Sequence, residues 1–232
     1  EDFNQLRVVT SLYCQDIEIL HLTDKKRFEN ASLRNLEIAE KYKQEHPDDP
    51  RSLFLVANAF WGRRQYKEAI PIYLDFIEQS GSDEEIFIAY NRLAEVYKVV
   101  EDHQRALACC MEAMKLRPWY PTAYLATAEV YYSMEQFNHA ESMFLIGLRM
   151  AAEDKRYERT MVVWNPRDFD VNPLRMLTYT YLQLSKPKEA LKCLETIVQI
   201  IPESPLDKKM AKVIKRMVKE LDKVEKVLKK SE

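Results

Sequence analysis

Asp168 and Asp170 stand two residues apart, a spacing with which paired carboxylates can hold a divalent cation. They follow Trp-Asn-Pro-Arg at 164–167, and no hydrophobic strand of a nucleotide-binding sheet precedes them. We therefore interpret them as part of a connecting segment. The sequence shows no nucleophile beside a base, no phosphate-binding loop and no other carboxylate pair apart from ordinary helix surface. We expect no catalytic residue and no metal site in this chain.

The cysteines and histidines do not suggest a metal centre either. The four cysteines, at positions 14, 109, 110 and 193, lack the spacing of zinc ligands, and the four histidines are scattered. Cysteines without a disulfide framework are typical of a reducing compartment. We therefore expect a cytoplasmic protein.

Composition narrows the class of protein further. Of the 232 residues, 47% are hydrophobic and only three are glycine, which fits an all-helical chain. The formal net charge of −2 argues against nucleic-acid binding. No apolar run reaches the roughly 18–20 residues that a membrane span needs. The charge is uneven, because residues 205–232 carry ten basic and five acidic groups, or +5, against −7 for the remainder.

Alanine recurs at one position of a repeated pattern, as Ala69, Ala106, Ala140 and Ala190. The intervals are 37, 34 and 50 residues, and each alanine lies between two stretches of helical apolar spacing. A period near 34 is typical of the tetratricopeptide repeat, a helix–turn–helix unit. We predict an all-α fold: a tetratricopeptide-type α-solenoid of antiparallel helix pairs, with a short extended N-terminal stub and a long C-terminal capping helix.

The repeat pattern assigns four units. Its positions are Leu53, Val56, Ala57, Phe60, Ala69 and Tyr73; then Tyr90, Leu93, Ala94, Tyr97, Ala106 and Cys110; then Tyr124, Thr127, Ala128, Tyr131, Ala140 and Phe144; and finally Leu174, Leu177, Thr178, Tyr181, Ala190 and Leu194. A half-unit over residues 31–45 precedes them. We divide the chain into a stub or junction from an upstream domain (1–28), the solenoid (29–204) and the capping helix (205–232).

The predicted last helix carries one apolar stripe with members three or four residues apart: Leu206, Met210, Val213, Ile214, Met217, Leu221, Val224 and Leu228. Nine Lys and one Arg occupy its other faces. One interpretation is a solubilising cap of the solenoid. The alternative is a coiled-coil or membrane-surface contact, although the interspersed Glu220, Asp222 and Glu225 argue against strong membrane binding.

Two segments depart from the repeat. An insertion at about 153–170 should extend a helix and then turn at Asn165-Pro166. Its Trp164 is either the anchor of a packed loop or part of a recognition element. Residues 6–22 hold two β-rich stretches, which we interpret as the end of another domain because two strands alone are marginally stable.

Several segments carry a family resemblance. Residues 19–30 (Ile-Leu-His-Leu-Thr-Asp-Lys-Lys-Arg-Phe-Glu-Asn) with 34–40 resemble a junction in bacterial and phage glycosyltransferases, where a GT-A-type (family 2-like) catalytic domain passes into a tetratricopeptide tail. Asp-Asp-Pro-Arg at 48–51 and the turn at 62–70 are similar to the first repeat of those tails. Residues 163–174 resemble their extended insert.

The resemblance implies that this chain is the C-terminal, non-catalytic part of such an enzyme, positioning an acceptor or mediating assembly. A divalent metal and a nucleotide-sugar would then belong to a catalytic domain outside these residues, and His21 is a candidate remnant of its metal site. The alternative is a free-standing adaptor that binds an extended peptide or protein. The sequence leaves both hypotheses open.

The first helices of stacked repeats line a concave groove. By repeat register, its lining includes Arg51, Phe54, Asn58, Trp61, Asn91, Glu95, Lys98, Leu125, Glu129, Tyr132, Arg175 and Tyr179. Aromatic anchors among mixed polar groups suit a peptide or protein segment, including the chain's own catalytic domain or a second copy; a solvated surface is the alternative. We reject a carboxylate-clamp site, because only Asn58 matches its pattern.

Overall fold

The computed structural model describes residues 25–80, 82–153 and 166–231, and these are helical almost throughout. The elements are α1 (Lys25–Glu45), α2 (Pro50–Gly62), α3 (Tyr66–Gln79), α4 (Asp83–Val99), α5 (His103–Leu116), α6 (Pro121–Ser133), α7 (Phe137–Glu153), a 3-10 turn (Pro166–Asp168), α8 (Val171–Gln183), α9 (Pro187–Ile200) and α10 (Pro205–Ser231). The all-α prediction is confirmed. The predicted N-terminal strands, His21 and Trp164 lie outside the described residues.

The helices pack as a one-dimensional stack of pairs. α2 pairs with α3, α4 with α5, α6 with α7 and α8 with α9, while α1 packs on α2 and α10 packs on α9. First helices also contact the first helix of the next pair, since α2 contacts α4, α4 contacts α6 and α6 contacts α8. This is the arrangement of an α-solenoid, in which each unit is stabilised by its neighbours.

The same tight turn joins the helices of every pair. One residue of each turn has a positive φ of 56–63°: Arg64, Glu101, Glu135 and Ser185. The N–H of the next residue then donates to the carbonyl five positions earlier, as from Gln65 to Phe60 at 3.0 Å and from Lys186 to Tyr181 at 2.8 Å. This hydrogen bond closes the helix end in the manner of a Schellman motif. The chain therefore leaves the first helix in the same direction in all four pairs.

The alanine register is confirmed. Each recurrent alanine is the fourth residue of its second helix, lies five residues after the positive-φ residue, and is fully buried: Ala69, Ala106, Ala140 and Ala190. One turn later the side chains of Tyr73, Cys110, Phe144 and Leu194 are also buried. The two helices of a pair therefore meet at the small side chain and enclose the large one.

α10 packs with a different face from the predicted stripe. Met210 and Ile214 of that stripe contact the core, but the other two core residues of α10, Ala211 and Val218, lie outside it. The other described members are 42–67% exposed: Leu206, Val213, Met217 and Leu221, here called the α10 strip. The prediction of a C-terminal capping helix is confirmed, since α10 packs on α9, but only part of the apolar stripe takes part in the packing. The rotation of α10 is fixed instead by Asp207, which is only 2% exposed.

Enlarging a recurrent alanine should separate the two helices of its pair. Ala106→Leu places three more carbons in a fully buried contact and should lower the free energy of unfolding by about 1–3 kcal/mol. Ala108→Leu makes the same change two residues along α5 at an exposed position and should be nearly neutral. Urea unfolding of both variants tests the register, and equal midpoints would contradict it.

Candidate functional site

A concave cavity of about 370 Å³ lies between α4, α6 and α8. Residues from α4 and α6 form most of its walls, and the start of α8 closes one end. The lining residues are Phe87, Ile88, Asn91, Arg92, Ala94, Glu95, Lys98, Thr122, Leu125, Ala126, Glu129, Val130, Asp168, Phe169, Asn172 and Pro173. Its volume lies in the range of sites that hold a side chain or a small ligand.

The cavity combines buried apolar side chains with charged groups. Phe87, Leu125 and Phe169 are each at most 6% exposed and supply apolar walls. Lys98 on α4 forms an ion pair with Glu129 on α6, which joins successive first helices across the cavity. Because these two charges neutralise each other, the pair gives the cavity no strong preference for a ligand of either charge sign.

Asn91 contributes a fixed amide to the cavity wall. Its Nδ2 donates to the Phe87 carbonyl at 2.7 Å, one helical turn earlier. Its Oδ1 is buried and accepts no hydrogen bond from the described residues. A buried acceptor without a donor costs about 1–3 kcal/mol. Because this oxygen is buried, Asn91 shapes the cavity wall and does not offer its oxygen to a ligand.

Arg92 is held at the α2 side of the cavity by an aromatic contact. Its guanidinium carbon lies 3.4 Å from the centroid of the Trp61 ring, which is a cation–π stack. The same guanidinium lies 3.7 Å from a Glu95 carboxylate oxygen. Trp61 therefore acts by positioning Arg92, although Trp61 itself does not line the cavity.

The residues just before α8 form the far wall of the cavity. Phe169 packs edge-on against Tyr120, with ring centroids 6.1 Å apart. Asp168 accepts a hydrogen bond from Asn172 Nδ2 at 3.0 Å, and Asp170 accepts one from the Val171 backbone at the start of α8. Both carboxylates thus accept hydrogen bonds from the first residues of α8. Among the described residues, no group of three or more His, Cys, Asp or Glu side chains could hold a metal ion.

The structure brings together five of the twelve predicted groove residues. Asn91, Glu95, Lys98, Leu125 and Glu129 line the cavity, all from α4 and α6. Sequence register missed Phe169 and Pro173, because it treated the insertion as separate from the groove. It also missed Thr122, Ala126 and Val130, whose spacing of four residues on α6 places them on one helix face.

The predicted residues on α2 serve other contacts. Phe54 is 9% exposed and packs on Phe76, with ring centroids 5.1 Å apart. Arg51 lies 3.5 Å from a Glu85 carboxylate oxygen. Asn58 accepts a hydrogen bond from the Tyr73 hydroxyl at 2.7 Å and borders a smaller groove of about 300 Å³ between α1 and α2.

The predicted residues at the other end are also outside the cavity. Tyr132 packs edge-on against Phe137, and Tyr179 is 39% exposed. Arg175 donates twice to the Asp207 carboxylate, at 3.1 and 2.6 Å, and so ties α8 to α10. Hydrogen bonding by Arg175, together with that by Ser204, holds the pKa of Asp207 below its usual range.

The described cysteines have the properties of core residues. Cys109, Cys110 and Cys193 are buried and unpaired. Burial raises the pKa of the Cys109 thiol to about 12 and that of Cys110 to about 11. Both thiols stay protonated at neutral pH, so they are poor nucleophiles.

The fold and its repeated turns define a tetratricopeptide-type solenoid, and comparisons with known proteins agree. The model of the family "Tetratricopeptide repeat" matches residues 88–118, which run from α4 to just beyond α5. No curated protein matches the chain in sequence.

Solved structures share the fold at low sequence identity. A thermophilic TPR protein, TTC0263 from Thermus thermophilus, is 18% identical over 82% of this chain and 91% of its own, with a TM-score of 0.60. MamA (41-end) from Desulfovibrio magneticus RS-1 is 14% identical over 78% and 96%, with a TM-score of 0.58. YrrB, described as a TPR protein with an unusual peptide-binding site, is 16% identical over 79% and 85%, with a TM-score of 0.56.

Within the described ranges, every helix is too short or too polar to cross a membrane.

Removing the carboxylate of Asp207 should loosen α10 in a pH-dependent way. Because the folded-state pKa of Asp207 is lowered, its stabilisation is present above the unfolded value of about 4 and is lost as pH falls through the folded value. Asp207→Asn should therefore lower the free energy of unfolding by roughly 1–3 kcal/mol at pH 7. The difference from wild type should shrink in strong acid.

The exposed pair of Asp222 with Lys188 provides a matched control, because Asp222→Asn removes a carboxylate from the same helix. That change should cost less than about 1 kcal/mol at pH 7. Urea melts of both variants at neutral and acid pH make the comparison. An Asp207→Asn effect equal at both pH values would show that the ion pair with Arg175 does not stabilise the helix.

Proposed function

We propose that this chain is an interaction scaffold that binds an extended peptide or protein segment in the cavity between α4, α6 and α8. The observation that carries the proposal is the composition of that cavity. Three successive first helices surround about 370 Å³ with buried apolar walls, and polar groups stand at fixed positions among them. Peptide-binding grooves need such apolar pockets for side chains together with fixed groups for the backbone.

The charges of the cavity favour an apolar anchor over a strongly charged ligand. Its cations are Arg92 and Lys98, while its anions are Glu95, Glu129 and Asp168, so opposite charges nearly balance. One large apolar side chain of the partner would lie among Leu125, Ala126 and Phe169. YrrB, which shares the fold, is itself described as having a peptide-binding site.

Filling the cavity should abolish peptide binding without disturbing the fold. The probe is a displayed library of random linear peptides, selected on the wild-type chain. Selected peptides should bind Ala126→Trp and Thr122→Trp at least about tenfold more weakly, because both changes place an indole in the cavity. Fluorescence titration measures the affinities, and thermal melts confirm that each variant is folded.

Leu145→Trp is the matched control, since Leu145 is 46% exposed on α7 and does not line the cavity. It should retain wild-type affinity. Selected peptides that bind both cavity variants as tightly as wild type would place the binding site elsewhere and overturn the proposal.

The finer hypothesis is that this scaffold is the C-terminal, non-catalytic part of a glycosyltransferase. Its support is the sequence resemblance at 19–40 and 163–174. A divalent metal and a nucleotide-sugar belong to the catalytic domain that this hypothesis requires. Sequencing the parent open reading frame tests it: an α/β sugar-nucleotide domain directly upstream is the expected result, and a reading frame without one leaves the free-standing adaptor.

A cytoplasmic location is part of the same proposal. Its support is the set of buried, unpaired thiols at Cys109, Cys110 and Cys193, which suits a reducing compartment. Fractionation of cells that express the tagged parent protein tests this location, and recovery outside the cytoplasmic fraction would contradict it.

A further inference from the structure

The two ends of the described solenoid present complementary halves of a helix pair. α1 packs against α2 as the second helices α3, α5 and α7 pack against the first helix that follows each of them. α10 packs against α9 as the first helices α4, α6 and α8 pack against the second helix that precedes each of them. α1 therefore occupies the place of a second helix, and α10 the place of a first helix.

The surface beside α1 has the form of a first-helix position that no helix fills among those the structure describes. Inside the stack, each first helix contacts its own second helix and the next first helix: α2, for example, contacts both α3 and α4. The equivalent helix at the α1 end would contact α1 and α2 together. A groove of about 300 Å³ lies there, lined by Asn35, Ile38, Ala39, Leu55, Asn58 and Ala59. Ile38 is 58% exposed at its edge.

The surface of α10 has the apolar residues that this groove requires. Leu206, Val213, Met217 and Leu221 form the α10 strip, on the part of the helix surface that does not contact α9. In the internal pairs, a first helix buries such a face against its second helix and the next first helix. An exposed row of large apolar side chains over four helical turns is unusual on a monomer surface and marks a contact site.

We propose that the α10 strip of one copy docks into the α1–α2 groove of a second copy, so that α10 and the second copy's α1 complete one helix pair. The contact is heterologous, because two different surfaces of the chain meet. Each copy keeps one free groove and one free strip, so the association continues head to tail into longer assemblies.

Charge favours the contact between strip and groove over a symmetric contact between two α10 helices. Residues 205–232 carry a net charge of +5, whereas α1 and the loop to α2, residues 25–50, carry six acidic and six basic groups and have no net charge. The proposed contact therefore places the basic α10 against a surface that does not repel it. Two α10 helices packed on each other would instead place +5 against +5, which is unfavourable at physiological ionic strength.

Mass measurements over a dilution series test the proposal. Static light scattering of the wild-type chain should show a mass that rises with concentration beyond that of a dimer. Val213→Glu places a charge in the strip, and Ile38→Glu places one at the groove. Each variant alone should remain monomeric. Both positions are at least half exposed, so both variants should fold, and thermal melts check this.

Mixing the two variants gives the decisive result. Val213→Glu retains an intact groove, and Ile38→Glu retains an intact strip, so together they can form one contact and no more. The equimolar mixture should therefore reach the mass of a one-to-one dimer and stop there. Leu145→Glu, at an exposed apolar position on α7, is the matched control and should assemble like wild type.

Three outcomes would overturn the proposal. Wild type could remain monomeric at every concentration, which would mean that the strip is covered by something other than a second copy. Ile38→Glu could assemble as wild type does, which would indicate a symmetric contact between two α10 helices. The mixture of variants could remain monomeric although wild type associates, which would show that strip and groove do not meet.

Discussion

The close approach of two helix backbones at a buried alanine is the constraint on which the rest of this structure depends. In each pair the alanine is the fourth residue of the second helix and follows the left-handed turn residue by five positions. The turn thus places this alanine at the closest contact between the two helices, where there is room only for a methyl group. Because helices of this length are unstable alone, each pair relies on its neighbours, and the buried side chains form clusters that span several helices.

The stacking of helix pairs leaves a cavity between successive first helices. This cavity is the candidate site. Where the pairs stack, α4, α6 and the start of α8 line one cavity, with buried side chains such as Phe87 among its walls. The residues at 168–173 close its far end, with Phe169 seated against Tyr120. The insertion that interrupts the repeat is therefore joined to the groove at its described end. Its length does not disturb the stack, because α8 contacts α7 as the earlier first helices contact their predecessors.

The sequence was sufficient to predict what is local and periodic. The alanine register and the helix pairs follow from a repeat period near 34 residues, and both agree with the structure. The groove was predicted less well, because its shape depends on how successive pairs are rotated. Phe54 shows this: the repeat register places it in the groove, yet its side chain is buried against Phe76 of α3. Arg175 shows the second difficulty, since its partner Asp207 lies 32 residues away.

The pairing of Arg175 with Asp207 also decides what the end of the solenoid presents to a partner. Asp207 is the third residue of α10 and is almost fully buried, so the bidentate contact fixes the rotation of the helix at its first turn. With Asp207 inward, Ile214 and Val218 follow it onto the core, and the α10 strip turns outward. Arg175, which the repeat register assigned to the concave groove, therefore orients the surface at the C-terminal end of the solenoid instead. Since the cavity and the two end surfaces share no lining residue, the proposed peptide binding and the proposed head-to-tail assembly would not compete for the same side chains.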